Sequence, residues 1–165
     1  MKGKKTNLGR TNCGIARALA ILGDWWTLLI VRDAFHGHQR FGEFQKSLGL
    51  AKNILSARLK KLVEEGIFEV QPDTNSARSH RYVLTKKGEG LYVILIALWQ
   101  WGEDNCFERG QLKYIMVDKQ KREALAKLQL TARDGRVLGP HDFSLAAKDR
   151  PRSAGRRGNA GLRVN

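Results

Sequence analysis

Between Ala51 and Glu65 the chain carries two chemically distinct faces at helical spacing. Leu55, Leu59 and Leu62 recur at intervals of four and three, the pattern of a stripe that packs inward. Lys52, Asn53, Ser56, Ala57 and Lys60 fall off that stripe, and these side-chain types suit nucleic-acid recognition. An Asn amide can bond two edge atoms of adenine, and a Lys ammonium reaches O6 and N7 of guanine. Small residues allow close approach or meet a thymine methyl group. Lys52, Asn53, Ser56 and Ala57 sit in the first half of the segment, the end that enters the major groove in a helix-turn-helix. They are the candidate base readers. Lys60 and Lys61 lie further back, where phosphate contacts are expected. Any one of these lysines alone would be an ordinary solvated residue. The constellation acquires meaning from the elements around it.

Those elements are legible in order. "TNCGIARALAILGD" spaces Ile15, Ala18, Leu19 and Leu22 for a first helix, with Asn12 as its expected cap and Gly23 as its stop. "DWWTLLIVRDAFHG" follows, capped by Asp24, and its run "LLIV" marks the central helix of a small core. Residues 41–48 place Phe41, Phe44 and Leu48 on one face of a short third helix. "GL" makes the turn into the 51–65 helix, and Gly66 suits its end. "IFEVQPD" and "HRYVLT" alternate as two strands around a polar tip at 74–79. Thr85 then caps a long helix reaching Asn105. The order predicts a mainly α, α+β fold: a winged helix-turn-helix with a long C-terminal dimerisation helix. Arg78, His80 and Arg81 would flank the wing, and with Arg40 they are the expected phosphate or minor-groove contacts.

The long helix is too apolar to stand alone. "LYVILIALWQW" contains one conventionally polar side chain, Gln100. Leu91, Leu95 and Leu98 can cover the winged domain, which leaves Tyr92, Ile96 and Trp99 as a second apolar stripe. Exposed stripes of this kind mark interfaces. A homodimer seam built from this helix and Leu19 of the first helix is one way to cover it, and it would give two reading helices for two half-sites. Covering by the chain's own C-terminal region is the other.

The net charge of +14 is concentrated at the ends, with nine of those charges in residues 1–10 and 148–165. The interior therefore cannot be assigned to a polyanion from charge alone, and position on the fold has to decide. The chain starts on a polar, basic leader (residues 1–11) and has no apolar run near the roughly 20 residues of a membrane span, so a cytoplasmic protein is expected. Two cysteines without CxxC spacing exclude a disulfide scaffold or a zinc finger. No phosphate loop, paired carboxylates or nucleophile–base motif asks for an enzyme or a cofactor. "HGH" at His36–His38 reads as a turn, not a metal site.

Taken together, "C-x3-RAL-x-ILG-x2-W-x2-LI-x-R-x7-RF-x-EF" from Cys13 to Phe44, then "NILSARLKKLVEEGIFE", "RYVLTKKGEGL" and "WQWGE", resemble the HxlR-type winged helix regulators over about residues 12–106. The resemblance implies a dimeric, double-stranded-DNA-binding transcriptional regulator. Some members of that family sense electrophiles or oxidants through a cysteine near the N-terminus, a position that Cys13 occupies. Gly14 stands where the family often has proline, and "AKN" at Ala51–Asn53 where it often has "SPK". A thiol in a first helical turn is favoured as thiolate by the helix dipole; a half-buried apolar cysteine is the alternative. Cys106 is a candidate partner for it. Residues 107–147, with "YIMVD", "AKLQLTARDGRVL" and an Asp134-Gly135 turn, are expected to form a small β-rich appendage. Residues 148–165 have the composition of a disordered basic tail. The expected function is a homodimeric regulator, with repression as the expected output and an oxidant or a small ligand as the candidate effector. The competing expectation is a non-specific basic nucleic-acid-binding or architectural protein.

Overall fold

A computed structural model describes residues 8–73 and 76–147, with backbone alone at 76–78. Most of the basic leader, the wing tip at 74–75 and the basic tail lie outside the described residues. After a single 3₁₀ turn at Leu8–Arg10 the elements are α1 (Gly14–Leu22), α2 (Trp25–Phe35), α3 (Phe41–Leu48), α4 (Lys52–Glu64), β1 (Phe68–Asp73), β2 (Ser76–Leu84), α5 (Lys86–Glu89) and α6 (Tyr92–Asn105). The fold is mainly α with a small antiparallel sheet, in the order expected for a winged helix.

Local chemistry accounts for most of the boundaries. Asp24 caps α2 by accepting the Trp26 N–H at 2.9 Å. Ile30 and Val31 on α2 are completely buried. Gly49 adopts φ 64°, the left-handed conformation that lets the chain leave α3 and re-enter α4 within three residues. At the end of α4 the Ile67 N–H donates to the Leu62 carbonyl at 2.8 Å and the Gly66 N–H to the Val63 carbonyl at 2.9 Å. With Gly66 at φ 67°, this is a Schellman ending. Leu55, Leu59 and Leu62 join Ile30, Phe44, Ile67 and Phe68 in the core. Phe44 sits at its centre, with edge-on ring contacts to His38, Phe68 and Tyr82 at centroid separations of 6.2–6.5 Å.

β1 and β2 pair with Phe68 opposite Leu84 and Val70 opposite Tyr82, and the register shifts between Pro72 and Asp73. A short third rung lies on the far side of β2. Arg40 bridges Arg81, and the Tyr82 N–H donates to the Gln39 carbonyl at 2.8 Å. β2 is therefore the middle of the wing sheet, and Pro72, which has no N–H to give, lies on its edge strand. β2 also begins earlier than expected, at Ser76 rather than His80, so much of the anticipated tip is strand.

Four expectations change at helix ends and in the C-terminal region. Cys13, not Asn12, is the N-cap of α1, and no side chain caps that end. Ala51 is likewise the N-cap of α4 and lies just outside it. The predicted long helix is two helices. Thr85 does cap the first, accepting the Gly88 N–H at 3.1 Å while donating to the Gly66 carbonyl at 2.6 Å. Gly88 packs so closely on β1's start that a Cβ there would lie 2.2 Å from the Ile67 carbonyl oxygen. The chain breaks at Gly90, turns the buried Leu91 inward, and restarts as α6.

Beyond α6 the predicted strands do not form a sheet. Two turns are instead closed by single bridges, Val117 with Ala124 and Thr131 with Val137. Asp118 makes the first turn by accepting the N–H groups of Gln120 and Lys121, at 2.8 and 2.7 Å. Asp134-Gly135 makes the second as expected, with Gly135 at φ 87°. Leu128 and Leu130 stay about half exposed, so their alternation buries no face. The chain falls into two compact units, dividing after Leu125. Among the described residues, no single helix is long and apolar enough to cross a membrane.

Phe44 meets its neighbours with an entire aromatic ring and has no solvent access. Phe44→Ala should therefore cost about 3–5 kcal/mol, read as a lowered midpoint in denaturant unfolding followed by tryptophan fluorescence.

Candidate nucleic-acid interface

α4 has one face in the core and one in water. Leu55, Leu59 and Leu62 are fully buried, whereas Lys52, Asn53, Ser56, Ala57 and Lys60 are exposed. At about 100° per residue, Asn53, Ser56, Ala57 and Lys60 fall within one arc of roughly 100° away from the leucines, with Lys52 about 40° outside it on the side of Leu59. Ala51 offers no side-chain oxygen to the first turn of α4. The N–H groups of that turn thus keep their positive end toward whatever approaches it. Lys60 makes only a loose i,i+4 pair with Glu64 at 3.8 Å, and both are well exposed.

The structure takes three other basic residues away from that face. Lys61 donates to the Ala20 carbonyl at 3.0 Å, closing the last turn of α1 against α4. Arg58 pairs with Asp24, which joins α4 to the cap of α2. Arg40 is bidentate to Asp73, with Nε to Oδ2 at 2.5 Å and a terminal nitrogen to Oδ1 at 3.0 Å. Its other terminal nitrogen donates to Glu43 at 3.1 Å. Arg40 and Lys61, both expected at phosphates, thus each hold a structural hydrogen bond, Lys61 while exposed and Arg40 while half-buried.

The Arg40 group clamps the wing to the helix-turn-helix. The Asp73 side chain is almost wholly buried at the end of β1 and also accepts from Ser79 at 3.1 Å. Bonding to Asp73, reinforced by Glu43, raises the Arg40 pKa further and holds the guanidinium charged. Glu43 accepts the N–H groups of Gln39 and Arg40, at 2.7 and 2.9 Å. Those bonds, the Gln39 one first, hold its carboxyl below the usual range.

Within the wing, His80 is exposed and Arg81 is half-buried, donating to the Gln39 amide oxygen at 3.3 Å. The Arg78 side chain lies outside the described residues. A cleft of about 630 Å³ separates α3 from β2, and Lys46, His80 and Ser79 line it beside Phe41. Lys46 was missed in the sequence. It lies about 200° from the buried Phe44 around α3, which is the signal that could have found it.

The apolar surface of α6 differs from the expected one. Leu91 is buried and Leu95 packs on the core, but Leu98 is exposed. Ile96 and Trp99 are half-buried, and the Trp99 indole donates to Glu103 at 2.5 Å. Tyr92, though exposed, borders a cleft with Ile96 and with Met116, Val117 and Leu125 of the chain's own following segment. The stripe left open is instead Val93, Ile94, Leu98 and Trp101, at 43, 41, 48 and 62% exposure. On α1, Ile15 and Leu19 are also open. Cys13 and Cys106 are exposed, free thiols at the start of α1 and the end of α6. Cys13 thus sits just before the first turn, not within it. His38 is not a plain surface turn residue either, since its ring packs edge-on against Phe44.

The HxlR-like helix-turn-helix family model matches residues 21–109. The HTH-type transcriptional regulator Rv3095 of Mycobacterium tuberculosis is 42% identical over 90 residues, 54% of this chain and 57% of that protein. The chain thus spans little more than half the length of this relative. The crystal structure of PA1607, a candidate transcription factor, superposes with a TM-score of 0.81 at 45% identity, covering 86% of this chain and 99% of that one. The redox regulator HypR in its reduced form is 25% identical with a TM-score of 0.50, over 57% of this chain and 94% of its own.

Proposed function

The chain belongs to the HxlR-like helix-turn-helix family, and we propose that it is a sequence-specific DNA-binding transcriptional regulator that works as a homodimer and represses the promoters it occupies. The observation that carries this reading is the division of α4: three leucines sealed in the core, and Asn53, Ser56, Ala57 and Lys60 presented together in water. In the proposal, Lys52, Asn53, Ser56 and Ala57 read base edges in the major groove. Lys60, Lys46 and His80 contact phosphates on either side, and Arg78 extends the wing. Residues 12–106 form the DNA-binding domain, and the basic ends add a sequence-independent electrostatic contribution.

The dimer seam follows the stripe that is open on the fold, Val93, Ile94, Leu98 and Trp101 of α6, together with Ile15 and Leu19 of α1. A partner copy presenting the same helices would cover it isologously. Cys13 is the candidate redox switch within this scheme. It is exposed at the N-cap of α1, the helix that carries Ile15 and Leu19, so a change at its sulfur would act beside the seam. The redox regulator HypR, among the similar structures, supports that choice.

Three measurements test the reading. In competition binding at physiological salt to DNA upstream of the protein's own gene, Asn53→Ala/Ser56→Ala should lose about tenfold or more of specific affinity while keeping non-specific binding. Equal affinity for specific and scrambled DNA in both proteins, abolished by removing residues 1–10 and 148–165, would instead establish a general basic binder. Leu98→Glu should sediment as a folded monomer where the wild type is a dimer; an unchanged dimer would move the seam elsewhere. Diamide should release the wild type from its DNA and leave Cys13→Ser bound. Release of both to the same extent would remove Cys13 from the switch.

A further inference from the structure

A second cleft, of about 360 Å³, lies away from α4, between the C-terminal end of α2, the first two turns of α6 and the segment 116–125. Its volume falls at the lower end of the range of small-molecule sites, roughly 300–1,000 Å³. The walls are apolar: Phe35 from α2, Tyr92, Leu95 and Ile96 from α6, and Met116 and Leu125 from the segment beyond. Met adapts its shape to an irregular ligand, and Tyr offers a hydroxyl beside an apolar ring.

The polar groups at this cleft have one sign. Arg32, His36 and Lys119 line it, and no carboxylate does. The acids nearest in sequence are committed elsewhere. Asp33 is buried and binds Nε and a terminal nitrogen of Arg32 at 2.9 and 2.8 Å. Asp118 turns back to accept N–H groups of its own turn, and those bonds hold its carboxyl ionised below the usual range. The Arg32 bonds to Asp33 leave its other terminal nitrogen without a role in that pair. An apolar slot with a basic rim matches one ligand class, a small anion with an apolar body.

We propose that this cleft is an effector site for an amphipathic carboxylate of aryl or short acyl type, with its apolar body between Tyr92, Ile96 and Met116 and its carboxylate at Lys119 and Arg32. The ligand would bridge α2 to α6 through residues 116–125. One side of α6 then touches the ligand while another, at Val93, Ile94 and Leu98, carries the proposed dimer seam. Occupancy therefore biases the orientation of that helix, and through it the spacing of the two reading heads. This consequence rests on the dimeric-regulator reading, whereas binding itself does not.

The test uses the full chain with two probes, 2-naphthoate and its neutral counterpart 2-naphthalenemethanol, in isothermal titration calorimetry without DNA. The expected result is one 2-naphthoate per chain, bound about tenfold or more tightly than the alcohol. Lys119→Ala should erase most of that preference and leave alcohol binding unchanged. Ile96→Trp, which fills the slot, should abolish both. Met116→Glu, on the surface segment and outside the helical core, should repel the carboxylate selectively and decides the matter if Ile96→Trp fails to fold. No binding of either probe, equal binding of both, or binding that survives Met116→Glu and Ile96→Trp would overturn the site. With binding established, a second arm adds 2-naphthoate to the protein–DNA complex. Binding without any change in DNA affinity would leave the ligand site standing and sink its regulatory consequence.

Discussion

Burial of Leu55, Leu59 and Leu62 in the same core as Ile30, Phe44 and Phe68 is the constraint on which the rest of this molecule depends. A helix held along one face cannot roll, so the opposite face keeps a constant aspect toward solvent. Side chains that must meet base edges need that rigidity, because a groove contact displaced by an ångström is lost. The residues off the stripe are then free to be chosen for recognition. The aromatic contacts of Phe44 with Phe68 and Tyr82 extend the same core into the wing, so α4 and the wing share one support.

Charge in this domain serves two ends that composition cannot separate. Arg40, Arg58 and Lys61 fasten elements to one another: the wing to α3, α4 to the cap of α2, and α4 to the last turn of α1. Lys46, Lys52 and Lys60 remain directed at solvent. The difference is geometric. Asp73 is buried at the end of β1 and requires a partner, and Arg40 is where the chain supplies a bidentate one. An arginine beside a buried carboxylate is drawn into the fold, whereas a lysine on a bare helix face stays in solvent. Position, not count, separates the two groups.

α6 shows how one apolar helix can serve three surroundings. Leu91 and Leu95 face the core, Tyr92 and Ile96 border a cleft closed by the segment 116–125, and Val93, Ile94, Leu98 and Trp101 remain open. Two of its sides are met by the chain itself, and the third leaves an apolar stripe in solvent, which is why the helix is apolar nearly all round. The helix is also separate from α5, and at 14 residues it is the longest of the described helices. Gly88 must approach the Ile67 carbonyl closely, and the chain bends at Gly90 before α6 starts, which sets the direction in which the open stripe points.

The element order, the leucine stripe of α4, the caps at Asp24 and Thr85 and the stop at Gly66 were all legible in the sequence. Each is a local rule in which side-chain period or backbone conformation is dictated within a few residues. The candidate reading face was legible for the same reason, because the buried stripe of a helix defines its opposite. Long-range outcomes were not. That Arg40 would meet Asp73, 33 residues away, and Lys61 the Ala20 carbonyl depends on how elements dock. The face of α6 that stays open depends on where residues 116–125 return, and the predicted strands after α6 pair only through single bridges within their own turns, since a sheet needs further neighbours that a local segment does not provide. The local sequence thus determined what each segment is. The docking of those segments, set by burial and by pairing of charges over long separations, decided which faces and which cations remain for function.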